Sequence, residues 1–196
     1  MSDQVDLPAG MYDQYSYMMF MLPHLTRAKV VVETGLGATA DSTRIWLSAL
    51  DKMPDPESRV LYTFEQNETI ANSHRSLQAD YKARWIVILV DDRAPEAAQR
   101  LPPGTKIDVL YLDAGHDRYE VDAELRNFAP MLADTGVLLT HDSYARVPPH
   151  VDEGRYPDGY TGPTPTYEAL KAWADARGWR TLLLTHPLGM TLCYKV

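Results

Sequence analysis

An α/β fold is predicted, built on a doubly wound, mostly parallel sheet of seven strands that closes with a C-terminal antiparallel hairpin. Three observations carry this expectation. Five short aliphatic runs alternate with stretches of helical periodicity between Lys29 and Thr140, and regular strand–helix alternation means a parallel sheet with helices on both faces. The last two apolar runs, Trp179–His186 and Met190–Val196, have only Pro187–Gly189 between them. A parallel crossover cannot be that short, so these two strands pair antiparallel. Finally, several runs end in ionisable residues, and ligands of open parallel sheets sit outside the carboxyl ends of the strands.

The elements follow in order. Residues 1–28 read as an N-terminal helical segment, in which Met11, Tyr15, Met18 and Leu22 share one helical face. That face is expected to pack against the core. Lys29–Thr34 is a β-branched run and hence a buried strand. A glycine-containing turn leads from it into a helix over Asp41–Leu50. Strands over Val60–Glu65, Trp85–Val90, Ile107–Leu112 and Val137–Thr140 alternate with helices over Glu68–Tyr81, Pro95–Arg100 and Glu120–Leu132, the last interrupted at Pro130. Residues 143–165 are rich in Pro, Gly and Tyr and read as a long substrate-facing loop without regular structure. A helix over Thr166–Arg177 precedes the hairpin.

The chain of 196 residues suits one domain, 1–196. Its formal net charge of −8 opposes nucleic-acid phosphates and anionic lipid. Cys193 is the only cysteine, so no intrachain disulfide forms. No apolar run approaches the ~20 residues of a membrane span, and the first ten residues carry no basic group of the kind that opens a signal peptide. A cytoplasmic protein that contacts neither nucleic acid nor membrane is expected.

The first strand ends in Glu33-Thr34-Gly35-Leu36-Gly37-Ala38-Thr39-Ala40. Gly35 and Gly37 allow a tight turn and a close approach of backbone to ligand. The string also satisfies the dinucleotide pattern G-x-G-x-x-A, so a nicotinamide oxidoreductase stays in view. Glu33 separates the two readings. A carboxylate there suits the cationic amino-acid end of S-adenosylmethionine and repels a pyrophosphate. Asp41 and Ser42 are read as caps of the next helix, with Ser42 also counted among the cofactor contacts. Glu65, at the end of the second strand, can accept both ribose hydroxyls. Asp91, with Asp92 as its alternative, is placed to accept from the adenine amino group, and Asp113 closes the fourth strand near the sulfonium.

The ordered segments VVETGLG, LYTFEQ, ILVDD, VLYLDAGH and GVLLTHD resemble a class I S-adenosylmethionine-dependent methyltransferase. Within that superfamily the chain is similar to the small-molecule O-methyltransferase group of the methyltransferase 24 family. The likeness covers roughly residues 29–142 and is most specific at Asp113, His116, Val121, Leu125, Gly136 and the His141-Asp142 pair. Arg118 stands where the family usually has Tyr, and Glu124 where it has Asp. The resemblance implies a Rossmann-like fold, S-adenosyl-L-methionine as cofactor and a small-molecule acceptor.

Methyl transfer needs donor and acceptor positioned and a proton removed from the acceptor. His116 and His141 are the candidate general bases, and Asp142 would orient one of them or take the proton itself. Some relatives bind a divalent metal through an Asp after strand four and an acidic pair after strand five. Here Asp113, His141 and Asp142 match those positions. One carboxylate is thus replaced by His, a poor ligand for magnesium, which favours metal-independent over magnesium-assisted transfer. The alternatives to an O-methyltransferase are the oxidoreductase and a non-catalytic cofactor-binding protein. Exposed Met and Tyr on the first helix would serve a homodimer.

Overall fold

A computed structural model describes residues 14–146, 160–185 and 189–196. The first helix, α1 (Gln14–Thr26), precedes strand β1 (Val30–Thr34), helix α2 (Asp41–Asp51) and strand β2 (Val60–Glu65). Helix α3 (Glu68–Ser73), strand β3 (Arg84–Leu89), strand β4 (Ile107–Leu112), helix α4 (Arg118–Phe128) and strand β5 (Leu132–Thr140) follow. Two short strands, β6 (Tyr144–Arg146) and β7 (Thr161–Pro163), lead to helix α5 (Pro165–Asp175) and the final pair β8 (Arg180–Leu184) and β9 (Met190–Tyr194).

The seven-stranded sheet has the order β3-β2-β1-β4-β5-β9-β8. Strands β1 to β5 pair parallel, whereas β9 runs antiparallel to both β5 and β8. The terminal antiparallel pair matches the expected hairpin, although residues 186–188 of its turn lie outside the described residues. Strand order reverses between β1 and β4, which makes their carboxyl ends the topological switch point.

Side-chain alternation along these strands explains the two cores. Val31, Leu61, Val109, Tyr111, Val137 and Leu139 face α1 and α2. Val32, Phe64, Leu110, Leu112 and Leu138 face the α4 and α5 side, where Val121, Leu125, Phe128 and Leu170 meet them. The first set leads, in period two, to Glu33, Asp113 and His141.

Several elements differ from the sequence expectation. The helix expected over Glu68–Tyr81 is α-helical only to Ser73 and continues as a 3₁₀ turn over Arg75–Asp80. The Ser73 hydroxyl donates to the Ile70 carbonyl at 2.7 Å, a side-chain bond that competes with the helix ladder. The helix expected to reach Leu132 stops at Phe128, because Pro130 has no N–H, and tightens into a 3₁₀ turn over Ala129–Met131. The helix near Pro95 is likewise a 3₁₀ turn, Ala97–Arg100. Strand β5 begins at Leu132, five residues before the expected start, with a bulge opposite Ile107–Val109.

The loop expected over 143–165 is partly regular. Its two ends pair antiparallel as β6 and β7, Tyr144 opposite Pro163. Residues 147–159 lie outside the described residues, as do residues 1–13 with Met11. On α1 the buried face runs through Tyr15, Met19, Phe20 and Leu22. Met18, expected on that face, is only partly buried. No helix among the described residues is long and apolar enough to cross a membrane.

Candidate active site

Register brings two strand ends side by side. Leu112 of β4 pairs with Thr34 of β1 and with Thr140 of β5, so the next residues, Asp113 and His141, emerge as neighbours. The Asp113 N–H donates to Thr34 Oγ1 at 3.1 Å, and Thr140 Oγ1 donates to the Leu112 carbonyl at 3.0 Å. His141 Nδ1 lies 3.6 Å from Asp113 Oδ1, and Tyr111 donates its hydroxyl to Asp113 Oδ2 at 3.0 Å. Burial raises the Asp113 carboxyl to about 6, against the favourable pull of His141.

Asp142 joins the two histidines. Its Oδ2 is 3.0 Å from His116 Nδ1 and its Oδ1 is 3.3 Å from His141 Nδ1. Burial disfavours the charged carboxyl, but the two imidazole hydrogen bonds outweigh it and hold Asp142 below the usual carboxylate range. The residue has a left-handed backbone, φ 51°, a conformation that Asp tolerates better than most side chains. Thr164, the cap of α5, fixes it by donating Oγ1 to the Asp142 carbonyl at 2.5 Å.

His116 reaches this carboxylate because its loop is pinned to α4. Asp117 caps the helix by accepting from Glu120 N–H at 3.0 Å, and Glu120 reaches back to accept from the His116 N–H at 3.0 Å. Gly115 is required there, since a Cβ would lie 2.5 Å from the Glu120 Cβ.

The glycine loop closes against the same region. Gly35 has φ +80°, and a Cβ on it would sit 3.0 Å from the Asp113 carbonyl. Glu33 lies beneath the loop and not in it. Being on the face that looks toward α2, it is fully buried and accepts from Ser42 Oγ (2.5 Å), Thr43 Oγ1 (2.6 Å) and Thr63 Oγ1 (3.0 Å). Burial pushes its carboxyl up to about 7 in spite of those three hydroxyls. Strand alternation turns the Glu33 carboxylate, expected to suit the cationic end of the cofactor, under the helix, where Ser42 stands between it and the cavity. Ser42 does not cap α2 either. Ala40 occupies the cap position without a side-chain bond, and the Ser42 hydroxyl serves Glu33.

The acids after β2 and β3 are also engaged. Glu65 accepts from Leu36 N–H at 3.2 Å and from Asn67 N–H at 2.7 Å, which ties the glycine loop to the end of β2. Both Asp91 oxygens accept from Arg93, at 2.8 Å from Nε and 3.1 Å from Nη2, and these bonds lower its carboxyl. Arg93 Nη1 then donates to Glu120 at 2.6 Å, linking the loop after β3 to α4. Asp92, the alternative to Asp91, turns inward instead. It is buried beside Glu124 of α4, and burial raises both carboxyls. Its loop packs onto α4, where Asn127 Nδ2 donates to the Asp92 carbonyl at 2.8 Å.

A cavity of about 230 Å³ opens between these elements. Gly35, Gly37, Ser42, Asp113 and His141 line it, whereas His116 and Asp142 stand behind His141. Asp41, Ile45, Tyr111 and Met190 contribute as well, together with Tyr15, Ser16 and Met19 of α1. Of these residues the sequence singled out only Asp41, at the start of α2, and Tyr15, on the buried face of α1. Arg93 was missed too, although it directly follows Asp91-Asp92.

The donor set suits S-adenosylmethionine. Among the described residues that line the cavity there is no Lys or Arg, but there are two carboxylates, Asp41 and Asp113. Such a lining favours a sulfonium and an ammonium and disfavours a pyrophosphate. Gly37, with φ +67° and no described atom within 4 Å of where a Cβ would stand, presents bare backbone to it. Magnesium is a poor fit. Both Asp142 oxygens face imidazoles and Asp113 Oδ2 accepts from Tyr111, so the oxygens a hard cation prefers are already engaged.

Comparison with known proteins agrees with this class. Residues 32–143, more than half of the chain, match the family model of the methyltransferase domain known as methyltransferase 24. The chain belongs to that family. No match was found among curated protein sequences. A Podospora anserina methyltransferase bound to S-adenosylhomocysteine is similar over 93% of this chain and 78% of its own, with 17% identity and a TM-score of 0.66. An O-methyltransferase from Bacillus cereus in complex with S-adenosylhomocysteine is similar over 97% and 84%, with 13% identity and a TM-score of 0.65. The Streptomyces achromogenes O-methyltransferase of tomaymycin synthesis, bound to S-adenosylmethionine, is similar over 93% and 79%, with 15% identity and a TM-score of 0.60. At these identities the similarity establishes the fold.

Proposed function

We propose that the protein is an S-adenosylmethionine-dependent O-methyltransferase acting on a small-molecule acceptor. The observation that carries this reading is the cavity at the switch point, where the glycine loop and the Asp113–His141 pair face each other. Family membership and the cofactor-bound O-methyltransferases of the same fold support it. Gly35, Gly37, Ser42 and Asp113 would hold the methionine end of the cofactor, Glu65 its ribose, and Asp91, steadied by Arg93, its adenine. When bound, S-adenosylmethionine supplies an electrophilic methyl group.

His141 lines the cavity and is the proposed general base for the acceptor hydroxyl. Asp142 is a positioning residue. It fixes the imidazole through Nδ1 and stabilises the imidazolium once the proton is taken. His116 shares that carboxylate from the other side and supports its placement. No metal is needed for this proton transfer.

The test is release of S-adenosylhomocysteine from S-adenosylmethionine with a panel of hydroxylated small molecules. Turnover that needs an acceptor and is lost in His141→Ala supports the reading. Turnover unaffected by His141→Ala would refute His141 as base, and methyl transfer to amines alone would refute O-methylation.

A further inference from the structure

A second concave site lies far from the switch point, on the α4–α5 side of the sheet. It is a groove of about 600 Å³, within the usual size of small-molecule sites. Leu125, Ala129 and Leu132 form an apolar floor. Trp173 and Trp179 form a wall, their rings edge to face with centroids 5.1 Å apart. Three cations stand at its rim: Arg126, Arg177 and Lys195. Asp122 is the single carboxylate among its described lining residues, and that group faces Arg118 at 3.8 Å.

The cations are placed rather than scattered. The Arg177 guanidinium stacks 4.7 Å above the Trp173 ring, and its Nη1 donates to the Trp173 carbonyl at 3.1 Å. Lys195 Nζ lies 5.7 Å from the Trp179 ring. Its contact with Asp134, 3.6 Å in open solvent, is of the kind that contributes little. On a chain of net charge −8, three cations against one carboxylate in a single groove form a local positive site. None of its described lining residues is shared with the cavity at the switch point.

We propose that this groove is a second binding site, for a small planar aromatic anion. The flat hydrophobic part would lie on the Leu125–Leu132 floor against the indoles, and the anionic group would meet Arg177 and Lys195. Ring stacking and charge pairing each favour such a ligand, and a neutral analogue of the same shape forfeits the second.

Calorimetric titration of the full chain with 2-naphthoate and with its neutral analogue 2-naphthamide tests the site. Saturable binding of the carboxylate is expected, at least about tenfold tighter than the amide. Arg177→Ala and Lys195→Ala, at exposed positions, are each expected to weaken it several-fold with no change in melting temperature, and Arg126→Ala serves as a further variant away from the Trp173 carbonyl. His141→Ala is expected to leave it unchanged. No binding of 2-naphthoate at millimolar concentration, equal binding of the amide, groove variants that bind like the parent, or loss of binding in His141→Ala would each overturn the proposal.

Discussion

The switch-point cavity and the α4–α5 groove are opposite in sign. Among the described residues, the cavity at the switch point is lined by Asp41 and Asp113 without a Lys or Arg, while the α4–α5 groove carries Arg126, Arg177 and Lys195 around two indoles. The cavity is the smaller of the two, about 230 Å³ against about 600 Å³. Size therefore does not identify the catalytic centre. What does is convergence: β1, β4 and β5 deliver backbone glycines, a carboxylate and an imidazole to one point, and a shared Asp142 fixes two histidines behind it. Helix α4 touches both regions, with Glu120 and Glu124 near the first and Asp122 and Arg126 on the second.

Substitutions can separate the two regions. Replacing His141 by Ala should have the largest effect, lowering kcat by about 10²- to 10⁴-fold as expected for loss of a general base, with binding in the groove untouched. Asp142→Asn keeps the shape but removes the charge that stabilises an imidazolium. A loss of about 10- to 100-fold in kcat is expected, together with a changed pH–rate profile and little change in KM. A profile that keeps the parent's shape would leave Asp142 with a packing role only.

Gly115→Ala probes the frame of the cavity. The Cβ contact at 2.5 Å with Glu120 predicts a destabilisation of about 1–3 kcal/mol in urea unfolding. Glu33 provides a pH signature of comparable or smaller size. Burial raises its carboxyl from 4.5 to about 7, so the folded state binds this proton more tightly than the unfolded chain. This contribution to stability is then lost as pH rises from about 4.5 to about 7 and is gone above it. Glu33→Gln should flatten that slope by roughly 1–3 kcal/mol between pH 5 and pH 8. The smallest effect is expected from metal removal: dialysis against EDTA should leave turnover unchanged, and restoration by magnesium alone would place a metal at Asp113.

Much of the fold was legible in the sequence because strand alternation and turn chemistry are local signals. The five parallel strands, the terminal antiparallel pair and the glycine turn all follow from runs of Val, Ile and Leu and their punctuation. Helix ends were less legible, since Ser73 and Pro130 act through particular backbone bonds. The strand-end residues at Gly35, Asp113 and His141 were found because register places them together. The orientation of the acids was not. Glu33 faces inward because of the sheet's period of two, Asp92 because its loop leans on Glu124, and Asp91 is held by an arginine two residues away. The groove was invisible in sequence, because its residues come from α4, α5, the turns that follow them, the start of β5 and the residue after β9.

The carboxyl ends of β1 and β4 are the proposed seat of S-adenosylmethionine, and calorimetry of the full chain with S-adenosylhomocysteine probes them without need of an acceptor. One site per chain is expected, weakened when Gly37 is replaced by Val and unaffected by Arg177→Ala. An absence of binding at millimolar S-adenosylhomocysteine would contradict that assignment.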